Sequence, residues 1–224
     1  MGEFSALVAA GGLSFATALS LVQKRGRYMA EAVPRGSGLV VALLGGDPDA
    51  VREACREASE TGIVAPANFN APGQIVIAGE KAAVERAVEI AKSKGCRKAI
   101  PLPVSVPVHT PLMRVAAERL AKDVNAVQWS DLNVPLINNA EAAPLQRAAD
   151  VQASAIRQLA SPVRWEESVR HMAAMGVKTF IEVGPGMVLS GLVKRILPEA
   201  QTLQVQDPES LEATMALLLV PGSA

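Results

Sequence analysis

The sequence predicts an α/β fold: a core of alternating strands and helices with a mostly parallel sheet, interrupted by an inserted block of six elements. Three observations predict it. Between residues 39 and 104 the hydrophobic pattern runs strand, helix, strand, strand, helix, strand. The linker-like stretch PRGSG (34–38) precedes that block, and the segments on either side have a different character. From 105 onward helices and strands alternate, as a parallel sheet requires.

Residues 4–33 read as helical, with Leu7, Ala10, Phe15, Ala18, Leu19 and Val22 recurring every three or four positions. Gly11-Gly12 breaks the run, and Ser14 reads as the N-cap of a second helix. In the insert, LVVALLGG (39–46) is a strand closed by glycines. Asp47 then caps a helix that has Pro48 at its first position and Val51, Ala54, Cys55 and Ala58 along its apolar stripe. IVAPANFN (63–70) and QIVIAG (74–79) are strands joined by the turn APG. EKAAVERAVEIAKSKG (80–95) is an amphipathic helix with Gly95 at its C-terminal end, and CRKAIPLPV (96–104) is the last strand. This order is that of the ferredoxin-like split βαβ arrangement. Next come helices over 111–124 and 150–161, a strand over 134–139, and a helix over 161–176 with Trp165, Val169 and Met172 facing inward. KTFIEVGPG (178–186) reads as a buried strand with a Gly-Pro-Gly turn, followed by a helix (187–197), a strand (202–206) and a helix (209–219). The three or four core strands all lie late in the chain, so the sheet is thin unless strands ahead of Met1 complete it.

Composition narrows the function. The 224 residues are half apolar but only 3% aromatic, so Ala, Val, Leu and Ile must build the core of one substantial domain or two small ones. Lys plus Arg equals Asp plus Glu, so no global field favours nucleic acid or an anionic membrane. No apolar run reaches the roughly 20 residues that span a bilayer, and Glu3 with no basic segment argues against a signal peptide. Cys55 and Cys96 stand apart with no CxxC, as expected of reduced thiols in a cytoplasmic protein. Two histidines, His109 and His171, are too few for a zinc site, and His171 reads as a surface residue.

The chemistry-bearing candidates are few. In PLPVSVPVHTPLM, His109 stands at a strand-to-helix junction, with Thr110 placed to cap the helix and Pro111 at its first position. It is either satisfied by backbone carbonyls or a general base, since an imidazole takes and returns a proton near neutrality. Ser105, four residues upstream, makes no convincing nucleophile motif, and neither cysteine is adjacent. Arg25, in KRGR, belongs either to a solvated helix face or to a clamp on a substrate carboxylate, which a planar guanidinium suits. VGPG (183–186) is either a tight βα turn or a backbone approach to a ligand, and NFNAPGQ (68–74) is a polar hairpin.

Taken together, GEFSALVAAG, RGRYMAEAVP, NFNAPGQIVIAG, PLPVSVPVHTPLM, RQLASPVRW and EVGPGMVLSGL resemble the signature segments of bacterial malonyl-CoA:acyl-carrier-protein transacylases, in order over nearly the whole chain. The resemblance implies an α/β-hydrolase-like parallel-sheet core, over 1–35 and 105–224, with a ferredoxin-like subdomain inserted at 36–104. It implies an S-malonyltransferase of fatty-acid biosynthesis, acting by a Ser-His ping-pong mechanism with no bound cofactor or metal. Malonyl-CoA and the phosphopantetheinyl acyl carrier protein are then substrates, and the complete enzyme is a cytoplasmic monomer. By the same resemblance His109 is the base, Gln158 orients it through a backbone carbonyl, Arg25 pairs with the malonyl carboxylate, and Asn70 and Gln74 face the cleft.

Gly2-Glu3 match the end of the family's elbow, Gly-His-Ser-Leu-Gly-Glu, so Met1 falls on its leucine and the nucleophilic serine stands just ahead of Met1. The resemblance therefore implies an N-terminally truncated chain that lacks acyl transfer by itself. Two alternatives stand beside it: a non-catalytic fragment that binds carrier protein or acyl-CoA, and an acyltransferase piece of a polyketide synthase.

Overall fold

Helix-forming and strand-forming stretches alternate through the computed structural model, which describes residues 1–104 and 106–218 and has an α/β fold. Contacts divide the chain into two compact units, Met1–Ser168 and Val169–Ala224. Ser105 and the last residues, PGSA among them, lie outside the described residues.

The first unit opens with α1 (Gly2–Ala9) and α2 (Phe15–Glu31). Gly11, at φ 83°, turns the chain between them, and the Ser14 hydroxyl accepts the Thr17 N–H at 3.1 Å as the predicted cap. The buried face of α2 shares only Ala18 with the predicted periodic positions: it carries Ala18, Leu21, Arg25 and Tyr28, while Phe15 and Leu19 are exposed. Phe15, Leu19 and Val22 instead line an open apolar groove together with Met1, Phe4, Ser5 and Val8 of the α1 region. The true stripe passed unread because a charged residue occupies one of its positions. Around it, Phe4 and Leu7 of α1 pack with Leu120 and Val124 of α5 (Arg114–Asn125) and Val151 and Ala155 of α6 (Ala148–Arg157).

A polar clasp joins α2 to α5. Asp123 accepts from Lys24 Nζ at 2.5 Å and from the Tyr28 hydroxyl at 2.8 Å, and Lys24 holds its carboxyl below the usual range. Tyr28→Phe is expected to lower stability by about 1 kcal/mol, read from the urea midpoint, because Lys24 keeps the carboxylate paired when the hydroxyl is gone.

The block after the linker reads β1 (Gly38–Leu44), α3 (Pro48–Ala58), β2 (Val64–Ala71), β3 (Gln74–Glu80), α4 (Lys81–Ser93), β4 (Lys98–Pro101). The strands form one antiparallel sheet in the order β2-β3-β1-β4. Alternation along the strands buries both faces. Val41, Leu43, Ile75 and Ile77 pack on α3 and α4, while Val40, Ala42, Ala67, Val76 and Ala78 form a separate cluster with Ile100 and Leu102. Asp47 caps α3, accepting from Asp49 and Ala50 N–H at 2.9 and 3.1 Å. β4 is shorter than predicted, because Pro103 has no N–H to donate to a ladder.

Beyond the block the expected parallel sheet is largely missing among the described residues. The predicted strand 134–139 is reduced to β5 (Leu136–Ile137), antiparallel to β6 (Pro144–Leu145). Pro135 lacks a donor, and the buried Asn138 side chain binds Ser154 Oγ and the Ala143 N–H instead. α7 (Trp165–Ala174) has Val169 fully buried but Trp165 and Met172 half-buried, and His171 is half-buried rather than exposed.

In the second unit β7 (Thr179–Val183) and β8 (Gln201–Val205) pair in parallel, with α8 (Val188–Ile196) between them and α9 (Pro208–Leu218) after. β7 is not the buried strand expected, since Val183 is 77% exposed. An apolar run records the capacity for burial, not the presence of neighbours. The Gly-Pro-Gly turn is structural: Glu182 accepts from Leu189 and Ser190 N–H at 3.0 and 2.7 Å, so the donors at the start of α8 are taken.

Candidate active site

Three predicted residues meet in the first unit. His109 follows β4 through a proline-punctuated segment, and its backbone sits in the left-handed region at φ 62°. A non-glycine residue there costs on the order of 1–3 kcal/mol and persists only when its surroundings hold it. The turn after α6 does so. The His109 N–H donates to the Leu159 carbonyl at 3.2 Å, and its Nδ1 lies 3.0 Å from the Gln158 carbonyl and 3.1 Å from the Ser161 carbonyl. Carbonyls only accept, so Nδ1 carries a proton, and in the neutral ring the lone pair is left on Nε2. Of the two alternatives read from the sequence, the carbonyl contacts are present, and they leave Nε2 as the ring nitrogen that can accept a proton. Thr110 stands at the N-cap position of a short 3-10 turn (Pro111–Met113) that leads into α5, but its hydroxyl donates to the Pro107 carbonyl at 2.6 Å instead of capping.

Arg25 is 8% exposed, which overturns the solvated-face reading. Its Nη2 donates to Gln158 Oε1 at 3.4 Å, while its Nε has no partner. Gln158 thus touches both functional groups, His109 through its carbonyl and Arg25 through its side chain. Glu3 acts on the same cluster from α1. Its carboxylate accepts from the Asn139 backbone N–H at 3.0 Å and from the Asn139 side chain at 2.7 Å. Burial raises Glu3 above the usual carboxylate range, and burial lowers the Arg25 guanidinium, with the Glu3 charge opposing that fall.

Burial is also the largest influence on His109 and pushes it below its ordinary value, with Arg25 and the Met1 α-amino group adding to the fall and the two carbonyl bonds opposing it. The ring is accordingly neutral and ready to accept a proton at neutral pH. The folded form binds its proton less readily than the unfolded chain. The stability tied to this group is therefore fully present above the ordinary 6.5 and is lost as pH falls through the folded value. Glu3 has the opposite sign above its ordinary 4.5, favouring the fold less as pH rises to its folded value. Urea midpoints measured against pH should show a slope below about 6.5 that His109→Asn, a residue tolerant of positive φ, removes.

Asn70 stands in β2 and Gln74 opens β3, both half-buried on the sheet of the insert. Cys55 and Cys96 are free and buried, and burial pushes the Cys55 thiol up to about 12, far from a working nucleophile. Among the described residues no cluster of His, Cys, Asp and Glu could hold a metal ion, and no helix is long and apolar enough to cross a membrane. Sequence reasoning missed Glu3, Asn139 and Ser161 as site residues. Glu3 had a signal, as the lone charge in GEFSALVA. Ser161 contributes a backbone carbonyl, which no residue type advertises.

The model of the acyl transferase domain family matches residues 1–211. A malonyl CoA-acyl carrier protein transacylase of Bacillus subtilis (strain 168) is 48% identical over 219 residues, which is 97% of this chain and 69% of that protein. This chain belongs to the malonyl CoA-acyl carrier protein transacylase family. That family is one of acyltransferases. An acyl carrier protein S-malonyltransferase from Vibrio cholerae superposes with a TM-score of 0.93 at 46% identity, over 95% of this transacylase-family chain and 70% of that one. A malonyl-transacylase solved in complex with its type II PKS acyl-carrier protein gives 0.93 at 43% identity, covering 96% and 69%.

Proposed function

We propose that this chain carries the malonyl-recognising and proton-accepting part of an S-malonyltransferase of fatty-acid biosynthesis. The fold we assign is an α/β-hydrolase-like core, 1–35 and 105–224, with a ferredoxin-like subdomain at 36–104 whose β2–β3 hairpin, with Asn70 and Gln74, borders the cleft. Malonyl-CoA binds with its free carboxylate on Arg25. In the proposed mechanism a serine hydroxyl gives its proton to His109 Nε2 and attacks the thioester, and CoA leaves with that proton. The phosphopantetheine thiol of an acyl carrier protein gives its proton to the same nitrogen and attacks the ester, and the serine oxygen leaves with that proton as the malonyl group moves to the thiol. No cofactor enters either step. The single observation that carries the reading is the buried trio itself: an arginine with an unused donor, a histidine with Nδ1 pinned by carbonyls and no bond to Nε2 among the described residues, and one glutamine touching both.

The hydrogen bonds described for the His109 ring go to carbonyl oxygens, and no hydroxyl or thiol among the described residues is bonded to it. The 224-residue polypeptide is accordingly proposed to bind malonyl-CoA without transferring the acyl group. The test is incubation of the purified chain with malonyl-CoA, followed by intact mass measurement and by titration calorimetry. Heat of binding with no added malonyl mass is expected. A covalent malonyl adduct overturns the claim of inactivity, and absence of binding overturns the reading of Arg25.

A further inference from the structure

Two buried donors in the site have no partner: Arg25 Nε and Gln158 Nε2. Native proteins rarely leave such groups unmet, and each unmet donor asks for an acceptor. These two sit on head groups already joined at 3.4 Å through Arg25 Nη2 and Gln158 Oε1. The assignment of the glutamine follows from chemistry: arginine has only donors, so the amide oxygen faces it and the amide nitrogen points elsewhere. One carboxylate offers two oxygens and about four lone-pair directions, enough to accept from both nitrogens. Every other polar function of Gln158 is committed. Its N–H donates to the Ser154 carbonyl at 3.0 Å, its own carbonyl holds His109, and its Oε1 holds Arg25.

We infer that the side-chain amide of Gln158 is a second donor to the substrate's free carboxylate, so that Arg25 and Gln158 together select a carboxylated acyl group over a neutral one. The inference rests on the assignment of Arg25 as the carboxylate clamp. Gln158 is then a binding residue with two separable parts: a backbone carbonyl that holds the base, and an amide nitrogen that reads the substrate.

The test is calorimetric titration of the 224-residue chain with malonyl-CoA and acetyl-CoA, for the native protein, Gln158→Glu, Gln158→Met and Arg25→Met. Gln158→Glu keeps the size and the acceptor for Arg25, loses the donor and adds a repelling charge. Malonyl-CoA affinity should fall about 100-fold or more, and acetyl-CoA affinity should stay within about twofold. Gln158→Met lacks the repulsion and should lose about tenfold toward malonyl-CoA alone. Because the backbone carbonyl survives, the His109 imidazole resonances should stay in place in the methionine variant. If Arg25→Met loses malonyl-CoA and both Gln158 variants keep it, the inference falls and the Arg25 assignment stands. If Arg25→Met also keeps it, the underlying assignment falls first. Equal losses toward malonyl-CoA and acetyl-CoA in both Gln158 variants would show a merely structural glutamine and overturn the inference.

Discussion

Arg25→Met is expected to weaken malonyl-CoA binding about 100-fold while leaving the fold as stable as before or more so. The two effects have one cause. Arg25 occupies a core position on α2, between Leu21 and Tyr28, where its charge is removed from water and its Nε is unmet. The nearest opposite charge acting on it is Glu3, itself raised toward its neutral form by burial. An incompletely paired buried charge of this kind often gives way to an apolar residue with a gain of about 1–4 kcal/mol. The arginine is retained, on this reading, for what it does to a ligand. A charged donor on a carboxylate contributes about 1.5–3 kcal/mol, which is about 10- to 150-fold in affinity. Urea midpoints and calorimetric titrations of the same preparation read both effects. A variant that unfolds easily and still binds malonyl-CoA would reverse the argument on both counts.

Gly79→Ala is expected to unfold the inserted sheet. A β-carbon at position 79 would lie 2.1 Å from the Ile63 carbonyl oxygen and 2.6 Å from Val64 Cα. Both are backbone atoms of the neighbouring chain, so no rotamer change relieves the clash. β3 cannot slide aside, because it lies between β2 and β1 and is paired with both. The Glu80 N–H also donates to the Ile63 carbonyl at 2.8 Å, fixing the oxygen that the new methyl would strike. The expected loss is about 3 kcal/mol or more, seen as a lower urea midpoint and faster amide exchange through 63–80. The damage should reach the site. β2 exchanges bonds with the segment after α6: Phe69 N–H to the Val163 carbonyl, and Val163 N–H to the Ala67 carbonyl, both at 2.8 Å. Two residues earlier Ser161 holds His109, so the imidazole resonances should broaden or move. Gly26→Ala is the matched control: nothing lies within 4 Å of the added carbon, and helix propensity favours alanine by about 0.8–1.0 kcal/mol. Native imidazole resonances in Gly79→Ala would disconnect the sheet from His109.

The elements from β1 to β4 were legible because their signals are local. Asp47-Pro48 starts α3, Pro72-Gly73 turns β2 into β3, and the two periods, 2 and 3.6, alternate cleanly between them. The remainder was less legible for reasons visible at particular residues. In α2 the periodicity of Phe15, Leu19 and Val22 was real, yet it marked the groove shared with α1 instead of the core stripe. In 134–139 the Asn138 side chain takes the Ala143 N–H, and the Asn139 N–H goes to the Glu3 carboxylate instead of a neighbouring strand. In β7 the apolar run has one paired edge among the described residues.

The same division runs through the site. Sequence alone determined the family, the candidates Arg25, His109 and Gln158, and the absence of any motif to activate a cysteine. Arg25 and His109 stood out by residue type and position along one chain, and the resemblance of the segments to a known family implied the family and Gln158. Tertiary structure decided that Arg25 is buried, that Nδ1 of His109 is the protonated nitrogen, and that Glu3 and Asn139 stand behind them. It also brought one glutamine, 133 residues from Arg25 and 49 from His109, into contact with both. Desolvation, carbonyl direction and unmet donors are properties of neighbours in space. A chain whose segments meet only after folding does not write them into the order of its residues.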